Sequence, residues 1–327
     1  MARARFLLPG LVVLAVACQL LALSAGSVAI LPGTIWEILI GQGEGTTHRI
    51  VMEIRLPRAL AAFVVGGLLG LAGALMQVLL RNPLADPYVL GVSGGAAVGA
   101  LLTMLLGLAS GWIPVNAFVG ALGSMLLVFL VAHGRGGWTP TRLLLTGVVV
   151  AAGWGAVISF LLAVSPDREL RGMLFWLMGD LAHTSGPGWT VAALAAGLVL
   201  AVTVARPLNL LARGDLQAQA LGVAVGPLRL GIYFAASLLT AAAVTVGGTI
   251  GFVGLVVPHM IRLIAGADHR TLLPAAVLLG GSLLTAADAL ARVIIAPQQL
   301  PVGVITAMIG VPVFLVLLHR GPRRQAR

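Results

Sequence analysis

The sequence predicts an all-α, polytopic membrane protein of about ten transmembrane helices, and three observations carry that prediction. Apolar residues make up 59% of the chain and charged residues only 9%, with a mean hydropathy of +1.07, more apolar surface than a water-soluble core can enclose. The apolar residues fall in runs long enough to cross a bilayer. The charges fall between those runs: all 20 basic residues are arginine, and nearly every one lies in or beside a gap.

In chain order the runs cover residues 6–31, 59–80, 89–108, 113–132, 143–164, 189–204, 228–246, 250–264, 272–291 and 300–318. The first follows Arg3 and Arg5 and holds a faint small-residue site at Ser27-Val28-Ala29. Its apolar core is much longer than that of a signal peptide, so it is expected to be a retained helix. With Arg3 and Arg5 in the cytoplasm, ten crossings place Arg81, Arg135, Arg142, Arg206, Arg213, Arg229, Arg262, Arg270, Arg320, Arg323, Arg324 and Arg327 on the same side. Arg49, Arg55, Arg58, Arg168, Arg171 and Arg292 remain outside. Fourteen against six is the asymmetry of the positive-inside rule, so both termini are expected in the cytoplasm.

The formal charge of +10 comes from scattered loop arginines without a basic helix or interleaved aromatics. That pattern fits an anionic membrane surface and not nucleic acid. The single cysteine, Cys18, lies inside the first run, which excludes a disulfide framework, and no metal-ligand spacing is present. Residues 1–327 are expected to form one transmembrane permease domain, built from two pseudo-symmetric halves. A faint internal echo joins 81–95 (RNPLADPYVLGVSGG) to 213–226 (RGDLQAQALGVAVG), and halves that begin on opposite sides of the membrane are a transporter architecture.

Missing lysine excludes two chemistries. A P-loop needs a lysine at the terminal phosphates and Schiff-base catalysis needs a lysine amine. Val92-Ser93-Gly94-Gly95-Ala96 superficially echoes an ATPase signature but opens an apolar run, so its expected role is tight helix packing. A rival reading makes Ser93 the nucleophile and His259 the base of an intramembrane serine protease, which requires the two within hydrogen-bond reach. Pro258 beside His259 predicts instead a kinked helix end with the imidazole bonded to freed backbone. An ion-coupled secondary transporter would need a carboxylate at depth. Asp288 is the candidate, and Arg292 four residues on predicts an intrahelical ion pair in its place.

The longest inner loop contains Asp215-Leu216-Gln217-Ala218-Gln219-Ala220-Leu221-Gly222, which reads as a short helix closed by glycine. Asp215 is placed to cap its start, and Leu216 and Ala220 share a face. It lacks the basic and aromatic faces of a lipid-bound helix. A groove in a partner protein suits it better.

Several motifs carry a resemblance. Arg55-Leu56-Pro57-Arg58, Gly73-Ala74-Leu75-Met76-Gln77, the 81–87 string RNPLADP with Leu90–Ala96, Gly251–His259, Arg262, Asp268-His269-Arg270, Ala287-Asp288, Ala291-Arg292, Leu300–Gly303 and Gly310-Val311-Pro312 occur in order along nearly the whole chain. They resemble the iron-chelate and cobalamin permeases of bacterial ABC importers, the FecCD type. The resemblance implies two copies of a ten-helix permease in the bacterial inner membrane, a cytoplasmic ABC ATPase dimer holding the ATP and Mg, and a periplasmic substrate-binding protein. The permease itself then carries no cofactor, no metal and no catalytic residue. By the same resemblance 215–222 is the coupling helix that inserts into the ATPase, with Asp215, Leu216, Gln219, Ala220 and Gly222 at the contact. Arg55, Arg58 and Arg292 are implied to form an outer cationic rim that receives acidic residues of the binding protein. Asn82, Leu84 and the turn Thr139-Pro140-Thr141 are implied as the cytoplasmic gate, with Pro140 where a small hydroxyl residue stands in the cobalamin permease. Residues 168–178, too short to cross, resemble a half-helix beside the outer pathway. The implied substrate is a bulky metal chelate, leaving ferric siderophore, haem and cobalamin open.

Overall fold

The computed structural model describes residues 2–26, 28–133, 139–184 and 186–320. Ser27 of the small-residue site and Arg135, Arg323, Arg324 and Arg327 of the charge asymmetry lie outside the described residues. Within them all regular structure is helical. In order come α1 (Ala2–Ser24), α2 (Pro32–Leu39), α3 (Gly45–Arg49), α4 (Leu56–Leu79), α5 (Val92–Leu105), α6 (Trp112–His133), α7 (Pro140–Val164), α8 (Asp167–Leu177), α9 (Thr190–Thr203), α10 (Ala205–Leu211), α11 (Asp215–Ala220), α12 (Val225–Gly247), α13 (Val253–Ala265), α14 (His269–Ala291) and α15 (Val302–Arg320).

Six continuous helical stretches are long and apolar enough to cross a membrane. A seventh is the pair α9 and α10, bent by 64°. The remaining three expected runs appear as the shorter apolar helices α5, α13 and α15. At 1.5 Å per residue the 14-residue α5 extends only about 21 Å, so composition alone overstates its reach. The first run also ends early, at Ser24 and not at residue 31. The segment after it, which lies between the first two apolar runs, folds as α2 and α3 and turns Ile30, Ile35 and Ile38 against Leu23 and Val51.

The bundle is organised around α4. Its 24 residues run about 36 Å and are buried almost throughout. Close approach explains its glycines: a methyl at Gly66 would collide with the Gly280 carbonyl of α14, and one at Gly73 with the Gly254 carbonyl of α13. Small residues let backbones meet in a membrane, where dispersion contacts replace the hydrophobic drive. The glycines at 94 and 95 act likewise, against Trp154 and the Gly120 backbone, which supports the packing role expected of that string.

The two ends of α4 carry ionic clusters. One joins it to α1 and α14, the other to α11 and α12. The second corrects the reading of the internal echo. Arg81 and Asp215, from the two related segments, lie 3.7 Å apart, so both segments sit at one end and do not relate halves of opposite orientation. What they share is local: a short helical turn closed by a left-handed glycine, Gly91 (φ 73°) or Gly222 (φ 81°).

Candidate functional site

At the expected outer end of α4, Arg58 grips Asp288 through Nε (3.0 Å) and Nη2 (2.7 Å) and donates to Gln299 Oε1 (2.7 Å). Arg292 approaches the same carboxylate at 3.2 Å, so the intrahelical pair expected from the i, i+4 spacing is present, with a second arginine added. Arg292 also donates to the Ala22 carbonyl (2.9 Å), while Arg55 donates to the carbonyls of Leu23 (2.7 Å), Ser24 (3.0 Å) and Val28. Together they satisfy the last carbonyls of α1, which have no partner within the helix. Arg55, Arg58 and Arg292 are only 5%, 4% and 6% exposed. The expected exposed cationic rim is therefore corrected: these side chains are spent inside the chain, because a buried carboxylate and a buried helix end both need donors.

Asp288 is itself fully buried between its two arginines. A carboxylate held this way has no free position for carrying a proton across the bundle. The protease alternative fares no better, since no hydrogen bond joins Ser93 to His259 among the described residues. The expected bond from the His259 imidazole to freed backbone is also absent: Nδ1 is buried without a partner, and Pro258 sits within a continuous α13. Among the described residues no group of three or more His, Cys, Asp or Glu could hold a metal ion.

At the opposite end lies α11. It is closed by a Schellman arrangement in which Gly222 N–H donates to Gln219 O (2.9 Å) and Val223 N–H to Ala218 O (2.9 Å). Only Ala218 is buried; Leu216 is 83% exposed and Gln217, Gln219, Ala220, Leu221 and Gly222 are exposed with it. The expected cap is corrected: Gly214 occupies the N-cap without a side-chain bond. Asp215 instead accepts two bonds from Arg229 Nη2 of α12 (2.7 and 2.8 Å). The preceding α10 is anchored by Asn209, which donates to Asp268 (2.8 Å) and accepts from the His269 amide (2.9 Å). The Asn209 side-chain amide and the Arg270 backbone N–H hold the Asp268 carboxyl below its ordinary range. Sequence reasoning missed Arg81, Arg229 and Asn209, since nothing in spacing links residues 14 to 134 positions apart.

The implied gate residues form two turns. Asn82 Oδ1 accepts from the Leu84 amide (2.9 Å), a side-chain-closed turn before Pro83, and both residues are exposed. Thr139 Oγ1 accepts from the Arg142 amide (3.3 Å) and caps α7, which puts Pro140 at the first helical position, where its missing N–H costs nothing. Thr141 is exposed beside it. Between the Asn82 turn and α5, Asp86 accepts from the Tyr88 amide (2.8 Å), and burial of its carboxyl pushes it up to about 6. Tyr88 Oη in turn accepts from the Ile250 amide (3.1 Å). The half-helix 168–178 corresponds to α8, whose Arg171 lies over the Phe175 ring at 5.5 Å and whose Trp176 packs partly into the core.

Among the described residues neither a Ser93–His259 hydrogen bond nor a metal-ligand group is present. The arrangement offers a helical bundle with one ionically braced end and, at the other end, a small protruding helix. The chain is 41% identical over 329 residues to the hemin transport system permease HmuU of Yersinia pestis, covering 97% of this chain and 96% of the relative. It is 38% identical over 326 residues to the vitamin B12 import system permease BtuC of Klebsiella pneumoniae, covering 98% and 96%. A solved structure described as an inward-facing metal-chelate-type ABC transporter superposes with a TM-score of 0.85 at 30% identity, covering 96% of this chain and 98% of that one. The model of the FecCD transport family matches residues 13–320, and the chain therefore belongs to the FecCD transport family.

Proposed function

We propose that this chain is the membrane-spanning subunit of a binding-protein-dependent ABC importer that moves a bulky metal chelate, of the ferric siderophore, haem or cobalamin class, into the cytoplasm. The observation that carries the proposal is α11: a glycine-closed helix with its apolar and amide side chains turned outward, rooted by Asp215 on Arg229. A protruding helix of that chemistry suits a partner's groove, and the partner assigned to it is the ATPase. Two copies of the chain would line the pathway in the bacterial inner membrane, with both termini cytoplasmic. ATP and Mg belong to the ATPase, so the permease works without a cofactor of its own. The gate role of Asn82, Leu84 and Thr139–Thr141 is supported by their position in exposed turns, the first of them leading directly from α4.

Docking of the binding protein at Arg55, Arg58 and Arg292 enters as a local effect. Arg58 and Arg292 share the single Asp288 carboxylate and Arg55 is held by backbone carbonyls alone, which leaves a surplus of positive charge at that end of α4. Acidic side chains of the binding protein would meet that field and not an exposed rim.

The test is reconstitution in proteoliposomes with the cognate ATPase and binding protein. Uptake of a chelate presented by the binding protein is expected only when all parts and ATP are present, and the ligand co-purifying with the binding protein identifies the chelate. Saturable ATP hydrolysis by the purified chain alone, or uptake driven by an ion gradient without ATP, would overturn the proposal.

A further inference from the structure

The end of α4 is built in an unusual way. Arg81 N–H donates to Val78 O (3.2 Å) and Asn82 N–H to Gln77 O (3.2 Å), which is the Schellman closure that glycine usually provides. Here an arginine holds the left-handed position, at φ 48°. A residue with a Cβ is uncommon there, because its side chain crowds the backbone. The side chain of Arg81 has a use that glycine could not supply: Nη1 lies 3.7 Å from Asp215 Oδ1, at the first residue of α11.

Asp215 thus faces two arginines of different standing. Arg229 is 13% exposed and bonds it at 2.7 Å; Arg81 is 45% exposed and touches it at longer range. The first contact anchors α11 to α12. The second is solvent-accessible and loose, as expected of an ion pair that forms and breaks easily. One residue beyond Arg81 begins the Asn82–Leu84 turn. Asp215, at the start of α11, therefore touches through one carboxylate the residue that leads into the Asn82–Leu84 turn.

Resting on the importer reading above, we infer that Arg81 is the positioning residue that makes the coupling helix and the gate turn move together, with Asp215 as the shared counter-ion. The left-handed backbone aims the guanidinium across the gap between α4 and α11, and the charge closes it.

Three replacements at Arg81 separate this role from simple helix closure. Arg81→Gly removes the charge and relieves the backbone, Arg81→Gln removes the charge and keeps the strain, and Arg81→Lys keeps the charge. Each would be reconstituted with the ATPase and binding protein and read as chelate molecules imported per ATP hydrolysed, with thermal stability and co-elution with the ATPase as fold controls. Arg81→Gly and Arg81→Gln are expected to lower that ratio at least fivefold, and Arg81→Lys to stay within about twofold of wild type. Combining Arg81→Gln with Asp215→Asn is expected to lower it no further than the worse single change, as residues sharing one contact do. A wild-type ratio in Arg81→Gly would overturn the inference while leaving the importer reading intact. Fully additive losses in the double variant would also overturn it. If the wild-type complex itself showed no ATP-dependent uptake, the importer reading would fail first and this inference with it.

Discussion

Asp288 is the residue on which most of the ionic cluster at the Arg58 end of α4 depends. Among the described residues its carboxylate is the only acidic partner of two buried guanidinium groups, and removing one member of a buried ionic cluster costs about 3–5 kcal/mol because the others stay desolvated and unpaired. Asp288→Asn is therefore expected to lower the detergent-solubilised melting temperature sharply. The exposed Arg49–Glu53 pair, with side chains 75% and 62% exposed, is expected to be replaceable without a measurable shift. Equal melting temperatures for Asp288→Asn and wild type would show that the cluster contributes nothing to stability. Asp86 gives a pH signature at the same scale. Its folded pKa, about 6, lies above its ordinary value of 3.8, so the folded state binds the proton more tightly than the unfolded chain. The favourable contribution is full below about pH 4 and is lost as pH rises through about 6. Asp86→Asn keeps the acceptor for the Tyr88 amide, and is expected to flatten that decline in melting temperature between pH 4 and 7. An unchanged slope would move the titration elsewhere.

Among the elements, α4 and α11 respond to substitution for opposite reasons. At Gly73 the obstacle is space, since any Cβ meets the carbonyl of Gly254. Two backbones would have to separate, and overpacking of this kind destabilises by about 1–3 kcal/mol, so Gly73→Ala is expected to melt at lower temperature and Gly73→Leu to fail to fold. At Gly222 there is open space and the obstacle is the backbone, at φ 81°. Gly222→Val is expected to insert and melt almost normally, yet to lose stimulated ATPase activity and uptake, because a branched side chain opposes the left-handed closure that aims α11. Normal stimulation in Gly222→Val would place the partner contact elsewhere. These elements also mark what the sequence made legible. A glycine after a short polar helix announces its own closure, and the Asp288–Arg292 spacing announces an ion pair, because both are local. Arg58 on Asp288 and Arg229 on Asp215 join residues 230 and 14 apart. Only packing brings them together, so three arginines that read as a surface rim proved to be interior braces.

For the whole molecule, hydropathy marked the ten apolar segments well but not their lengths, since short and bent helices are set by neighbours in the bundle and not by composition. Orientation is the remaining global property, and charge argues it. On the expected inner side lie 14 arginines and three acids (Asp86, Asp215, Asp268); on the outer side lie six arginines and seven acids. The basic asymmetry alone sets topology in the positive-inside rule. The single cysteine makes the prediction easy to check. In a Cys18→Ala background, Arg168→Cys on α8 and Leu216→Cys on α11 each replace a side chain more than 80% exposed, so neither disturbs packing. Treated with a membrane-impermeant thiol reagent, intact spheroplasts are expected to label position 168 at once and position 216 only after permeabilisation. Contacts made by the assembled ATPase would slow the second labelling further, and omitting the ATPase should restore its rate. Labelling of position 216 in sealed spheroplasts, with position 168 protected, would invert the topology and remove α11 from the cytoplasm where its partner must be.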